Sequence, residues 1–216
     1  MEKKLEKSYW RKARWVAWLL QIVPYIRLIG VNGSLTTNEL KPASDIDFLI
    51  ITKPGRIFTC RFLVTLLVHF TGQRRYGQKV AGRICLNRYQ ASSFLDIQPH
   101  NEYHAKVFSS LVPIFDADSV YQKYVVVNQW MKKFNFRFPA RNFKLVNNFL
   151  LGSVRGAGEM ILDVSIGDWL ENKLRYYQKN RILRDARYQT APPGKIRISD
   201  KELCFHPLKG GGLTKF

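Results

Sequence analysis

Gly33-Ser34-Leu35-Thr36-Thr37-Asn38-Glu39-Leu40-Lys41-Pro42-Ala43-Ser44-Asp45-Ile46-Asp47-Phe48-Leu49-Ile50-Ile51 is the stretch on which the fold turns. Phe48 to Ile51 is a continuous apolar run rich in β-branched residues and reads as a buried strand. Asp45 and Asp47 stand one residue apart at its head. Side chains at i and i+2 of a strand share a face, ~6.5–7 Å apart along it at ~3.3 Å per residue. Two neighbouring carboxylates repel each other unless a cation lies between them. Hard oxygen donors suit Mg²⁺ (or Mn²⁺), which takes one or two protein carboxylates and shares its other positions with phosphates and water. Upstream, Gly33 allows close backbone approach, and Ser34 offers an N–H and a hydroxyl to an anion. The residues between leave room for one short turn and a loop. A triphosphate would sit on the Gly-Ser turn, with metal bridging it to the carboxylates. Asp-x-Asp pairs are also common on solvated loops; the buried strand and the Gly-Ser pair set this one apart.

Gly33-Ser34 followed by Ser44-Asp45-Ile46-Asp47-Phe48-Leu49-Ile50 resembles the signature of the polymerase-beta-type nucleotidyltransferase superfamily, including small bacterial proteins that carry this domain. The likeness is strongest from Ile26 to Lys53 and extends to about Tyr89. It implies a mixed sheet flanked by helices, and transfer of a nucleoside monophosphate from NTP to a hydroxyl with Mg²⁺. By the same resemblance Gly33 and Ser34 hold the triphosphate, Ser44 joins the nucleotide-binding set, and Asp45 and Asp47 ligate metal and serve catalysis. Lys53, Arg56 and Arg61, which follow the strand, would neutralise the leaving group. Family members add a third carboxylate from a later strand as base toward the attacking hydroxyl. The candidate strand here, Arg83 to Tyr89, has no Asp or Glu. Asn87 is its catalytic candidate, yet an amide cannot take a proton at neutral pH. Asp96 follows a few residues later. Either another base serves, or the fold binds nucleotide without turnover as a nucleotide- or RNA-binding regulatory module.

The 216 residues carry 35 Lys and Arg against 16 Asp and Glu, a formal charge of +19 spread along the chain. Such a field attracts polyanions, so RNA joins NTP as an expected partner, and a protein partner stays open. A hydrophobic content of 46% is enough for a core and argues against disorder. Cys60, Cys85 and Cys204 lie far apart and make neither a disulfide framework nor a zinc motif, which points to a reducing cytoplasm. Val16 to Val23 follows a basic start but lacks a cleavage site, and no stretch reaches the ~20 apolar residues of a membrane span.

Patterning divides the chain into a nucleotidyltransferase-like core over 1–139 and a helical extension over 140–216 ending in a short β-hairpin. A helix is expected from Glu2 to about Leu28, broken near Pro24, with Trp15, Trp18, Leu19, Ile22 and Val23 inward. A second runs from Arg56 to about Phe70 with Phe58, Phe62, Leu63, Leu66 and Leu67 inward. His100, Glu102 and His104 permit zinc on a helix face, although capping is the more frequent role for such residues. That helix would continue to Val112 and stop at Pro113, and another spans Tyr121 to Lys133. Phe134 to Pro139 alternates and closes the first unit. Gly152, Gly156 and Gly158 suggest a break between helices. Glu159 to about Asp185 reads as one long helix with Ile161, Leu162, Ile166, Trp169, Leu170, Leu174 and Tyr177 on one side, ended by Ala191-Pro192-Pro193-Gly194. Lys173, Tyr177, Arg181 and Arg184 interleave aromatic and cation, a combination that stacks bases and holds phosphates. Lys195 to Ile198 with Leu203 to Phe205 forms the hairpin, and Gly210-Gly211-Gly212 a flexible terminus.

Overall fold

A computed structural model describes residues 2–139, 142–191 and 196–205. The elements in chain order are α1 (Glu2–Leu20), β1 (Ile26–Asn32), β2 (Ile46–Thr52), α2 (Ile57–Phe70), β3 (Ile84–Ala91), α3 (Glu102–Ser109), β4 (Val112–Asp116), α4 (Val120–Val127), α5 (Phe149–Leu162), α6 (Ser165–Leu183), α7 (Ala186–Gln189), β5 (Arg197–Ile198) and β6 (Glu202–Cys204). The strands form one mixed sheet in the order β4-β1-β2-β3-β6-β5. β1 pairs antiparallel with β2 and with β4, whereas β2 and β3 run parallel. This is the expected mixed sheet flanked by helices, and the terminal hairpin joins it through β6 on β3.

Every residue of β2 is buried because both sheet faces are covered. Phe48 and Ile50 face a core shared with α1 and α2, while Leu49 and Ile51 face a second one built by α3 and α4. By strand alternation Asp47 falls on the α3 side. β3 carries one extra residue against β2, since Asp47 lies opposite Cys85 but Leu49 opposite Arg88. Such a bulge re-aims side chains.

Several expectations need correction. The first helix stops at Leu20, and Tyr25 turns the chain at φ 74 so that Ile26 to Asn32 becomes a strand. Its inward stripe is Ala13, Val16, Ala17 and Leu20, small enough to lie close on the sheet, which leaves Trp15 45% and Trp18 40% exposed. On α2 the buried positions include Ile57, Phe58, Cys60, Val64 and Val68, and Phe62 and Leu66 face outward. The helix after Asn101 ends at Ser109, and Val112 to Asp116 is a strand. Pro113 fits there because β4 lies at the sheet edge, where a missing N–H breaks no second ladder. Tyr121 to Lys133 divides into α4 and a tighter 3-10 stretch, Gln129 to Phe134. Phe134, Phe136 and Phe138 pack partly buried against the second core and form no strand.

In the C-terminal region the three glycines lie inside α5, and the break comes at Asp163-Val164. A Cβ on Gly158 would stand 2.8 Å from Pro24 Cγ, so this glycine serves close packing. Ile161 at the end of α5 is exposed, and so are Ile166, Trp169 and Tyr177, because α6 is held by polar groups instead. Glu171 accepts from the backbone N–H groups of Phe58 (3.0 Å) and Thr59 (2.8 Å) in the first turn of α2. Gln178 donates to Phe58 O at 2.8 Å. Pro192, Pro193, Gly194, Lys195 and the Gly210 to Gly212 run fall outside the described residues. Among the described residues no helix is long and apolar enough to cross a membrane.

Candidate active site

The site lies where β1 ends and β2 and β3 begin. Asn32 stands opposite Asp47 in the β1–β2 ladder, and the chain then turns through Gly33-Ser34-Leu35 as a single 3-10 turn. Gly33 adopts φ +77, and a Cβ there would sit 2.4 Å from Asp47 Oδ2. The turn is therefore pressed onto the carboxylate so closely that only glycine fits. Thr36 Oγ1 closes the turn on Gly33 O at 3.0 Å.

Asp45, Asp47 and Cys85 each place a potential ligand atom within 4.8 Å of the others. Asp47 is 8% exposed, and Asn87 Nδ2 donates to its Oδ1 at 2.7 Å. Arg75 Nη1 donates to Asp45 Oδ2 at 2.5 Å and approaches Cys85 Sγ at 3.5 Å. Asn32 Oδ1 is buried without a hydrogen-bond partner among the described residues, a costly arrangement unless something else supplies one. Burial pushes the Cys85 thiol well up, and the Asp47 and Asp45 charges push the same way, so the sulfur is a weak, protonated donor. Tyr103, in the first turn of α3, is pushed up to about 12, first by burial and then by the charge of Asp47. Two carboxylates beside an orphaned amide oxygen and a glycine cradle form an oxygen-rich donor set that fits Mg²⁺ or Mn²⁺. Asp45 and Asp47 would hold that ion.

Other expected residues lie elsewhere. Lys53 and Arg56 follow the far end of β2, roughly 20 Å from Asp47 at ~3.3 Å per residue. There Lys53 Nζ pairs with Asp163 at 2.6 Å and Arg56 with Asp168 at 2.6 Å. Arg61 Nη1 meets Gln178 Oε1 at 2.5 Å, and its guanidinium lies 4.9 Å from the Phe205 ring. These three cations tie the C-terminal region to the core, and the structure does not bring them to the carboxylates. Ser44 closes the preceding loop, its Oγ accepting from Lys41 N at 3.0 Å. Asp96 pairs with His100 at 2.8 Å, and that imidazole stacks on Trp130. His104 is buried and bonded to the Asn101 cap, and among the described residues the histidines form no metal centre. Lys173, Tyr177 and Arg181 lie along one stripe of α6 and Arg184 caps its C-terminus, with Tyr177 55% exposed.

Sequence reading missed Arg75, Cys85 and Asn32. Arg75 reads only as part of a basic link between Gly72 and Gly77. The parallel pairing of β2 with β3 is what places that link over Asp45.

Paired carboxylates at the head of a central strand, a glycine turn pressed on one of them, and a mixed sheet behind both define a nucleotidyltransferase-type domain. The family model for the nucleotidyltransferase domain matches residues 17–107, a span that holds every side chain of this cluster. It implies a nucleoside triphosphate as substrate. Comparison with curated proteins and with solved structures found no match.

Proposed function

We propose that the chain transfers a nucleoside monophosphate from an NTP to a hydroxyl acceptor in a reaction that depends on Mg²⁺ or Mn²⁺. The observation that carries this reading is the convergence of Asp45 and Asp47 beside a turn that only Gly33 can make. The acceptor oxygen forms a bond to the α-phosphorus as the bond to the bridging oxygen breaks, pyrophosphate leaves, and the hydroxyl's proton passes to water. Asp45 and Asp47 would hold a divalent cation, which would supply Lewis acidity and charge neutralisation for the departing group. Asn87 fixes the Asp47 carboxylate through its 2.7 Å hydrogen bond. Gly33 and Ser34 offer the anion-binding turn. The Lys173, Tyr177 and Arg181 stripe, with Arg184 at its C-terminal cap and exposed Trp169 on the same helix, supports single-stranded RNA as the polyanionic partner.

Each labelled NTP incubated with the protein and Mg²⁺, with and without cellular RNA, tests this directly. Label transfer or pyrophosphate release is expected, reduced at least ~100-fold by Asp47→Ala because the charge stabilisation at phosphorus is removed.

One observation favours a second reading, a module that binds nucleotide without turnover. The β3 side chains beside Asp47 are Cys85 and Asn87, and neither takes a proton as a carboxylate does. NTP binding without product under any acceptor supports that module.

A further inference from the structure

We infer that Arg75 is a resident counter-cation of the carboxylate pair, occupying the ion position in the free protein and turning to the nucleotide's phosphates when metal and NTP arrive. The inference rests on the reading of Asp45 and Asp47 as metal carboxylates and adds a residue and an order of binding to it. Nη1 touches Asp45 Oδ2 at 2.5 Å and Cys85 Sγ at 3.5 Å, and both of those residues belong to the trio that encloses the ion position. A guanidinium there and a divalent cation would repel each other at close range, so the two exclude one another.

The swing needs no loop rearrangement. Arg75 N donates to Ile84 O at 2.9 Å and Ile84 N to Gln73 O at 2.8 Å, which pins the Arg75 backbone beside the head of β3. Lys12 holds the far end of the same loop through Gly82 O at 2.7 Å. The side chain is 21% exposed, so it borders the opening, and its buried Nε has no hydrogen-bond partner among the described residues. A planar fork with a donor to spare suits a phosphate better than it suits its present single carboxylate oxygen.

Mn²⁺ binding to the whole chain, followed by the electron paramagnetic resonance of the free ion, tests this without any turnover. The proteins compared are wild type, Arg75→Gln, Arg75→Lys and Asp47→Asn. Arg75→Gln is expected to bind Mn²⁺ at least about tenfold tighter than wild type in the absence of nucleotide, because a repelling charge is gone. The same variant should bind metal-free ATP about tenfold more weakly, since a charged donor to phosphate is missing. Arg75→Lys keeps the charge and should stay close to wild type for Mn²⁺, which guards against a merely structural effect. Equal Mn²⁺ affinity in wild type and Arg75→Gln, with binding abolished in Asp47→Asn, overturns the counter-cation role and leaves the metal site standing. No Mn²⁺ binding by any of the four overturns both.

Discussion

Gly33 is a position where a single methyl group would act directly on the carboxylate cluster. Its φ of +77 already disfavours any side chain, and the added carbon would collide with Asp47 Oδ2 at 2.4 Å. Gly33→Ala should lower stability by only ~1–3 kcal/mol from local strain. It should remove most nucleotidyl transfer, because the carboxylate must move. Thermal unfolding read beside label transfer separates the two effects; a variant that keeps full transfer would show that the turn does not set the position of Asp47. The juxtaposition of Gly33 with Asp45 and Asp47 was legible because they lie within one short stretch whose spacing carries meaning. Arg75 and Cys85 were not, because a parallel crossover brings them in, and nothing local in a sequence states which residue of β3 will face which residue of β2. Lys53, Arg56 and Arg61 show the converse. Nearness in sequence placed them by the carboxylates, and the length of a strand took them to the other end.

α5 and α6 are bound to the core by polar groups, which is why their apolar pattern pointed the wrong way. Periodicity identifies a buried stripe when burial is apolar, but here Glu171 and Gln178 turn inward and Trp169 outward. Replacing Glu171 by Gln removes a charge from two hydrogen bonds in the first turn of α2 and should cost about 1.5–3 kcal/mol, read as a lower urea midpoint with unchanged slope. The anchor of α5 responds to pH. Burial pushes the Glu159 carboxyl up, but hydrogen bonds from Arg27 (2.7 Å) and the Tyr25 N–H (2.8 Å) outweigh it, and the net shift is downward. A carboxylate whose folded pKa is depressed stabilises fully above its unfolded value, ~4.3, and that contribution fades as pH falls through the lower folded value. Stability measured across the acid range should therefore decline below about pH 4.3 in wild type, and Glu159→Gln should flatten that decline. An unchanged acid limb would count against the pair as an acid-sensitive clamp.

The C-terminal hairpin adds the last two strands to the six-stranded sheet. Arg88, 1% exposed on β3, pairs with Glu202 of β6, and Arg197 of β5 reaches the same carboxylate at 2.7 Å. Glu202→Leu would strand a buried guanidinium and should cost ~3–5 kcal/mol, seen as a lower unfolding midpoint; a shift under ~1 kcal/mol would mean that the hairpin adds little to the core. Across the whole chain the positive charge dominates. Arg181→Glu combined with Arg184→Glu should weaken RNA binding and reduce its salt dependence, by a log–log slope of about 0.7 for each phosphate the protein no longer neutralises. Affinity for NTP should stay unchanged, and an equal fall in both would join the two surfaces into one. The mixed α/β class and the C-terminal hairpin were readable from pattern, whereas the strand order was not. β4 and β6 are short edge or near-edge strands whose pairing is settled by distant partners, and Pro113 concealed the first of them.

β2 has a division of labour along its length. Its acidic head carries the carboxylate cluster, and the cations past its tail grip the α5–α6 junction through Asp163 and Asp168. The two tasks share a backbone but no side chain, so the C-terminal helices could be exchanged for another pair that keeps Asp163 and Asp168 and the anchoring contacts of Glu159, Glu171 and Gln178 without disturbing the carboxylate cluster. Acceptor choice would then become a graftable property, and one scaffold could be fitted to new targets by recombination instead of redesign of its chemistry.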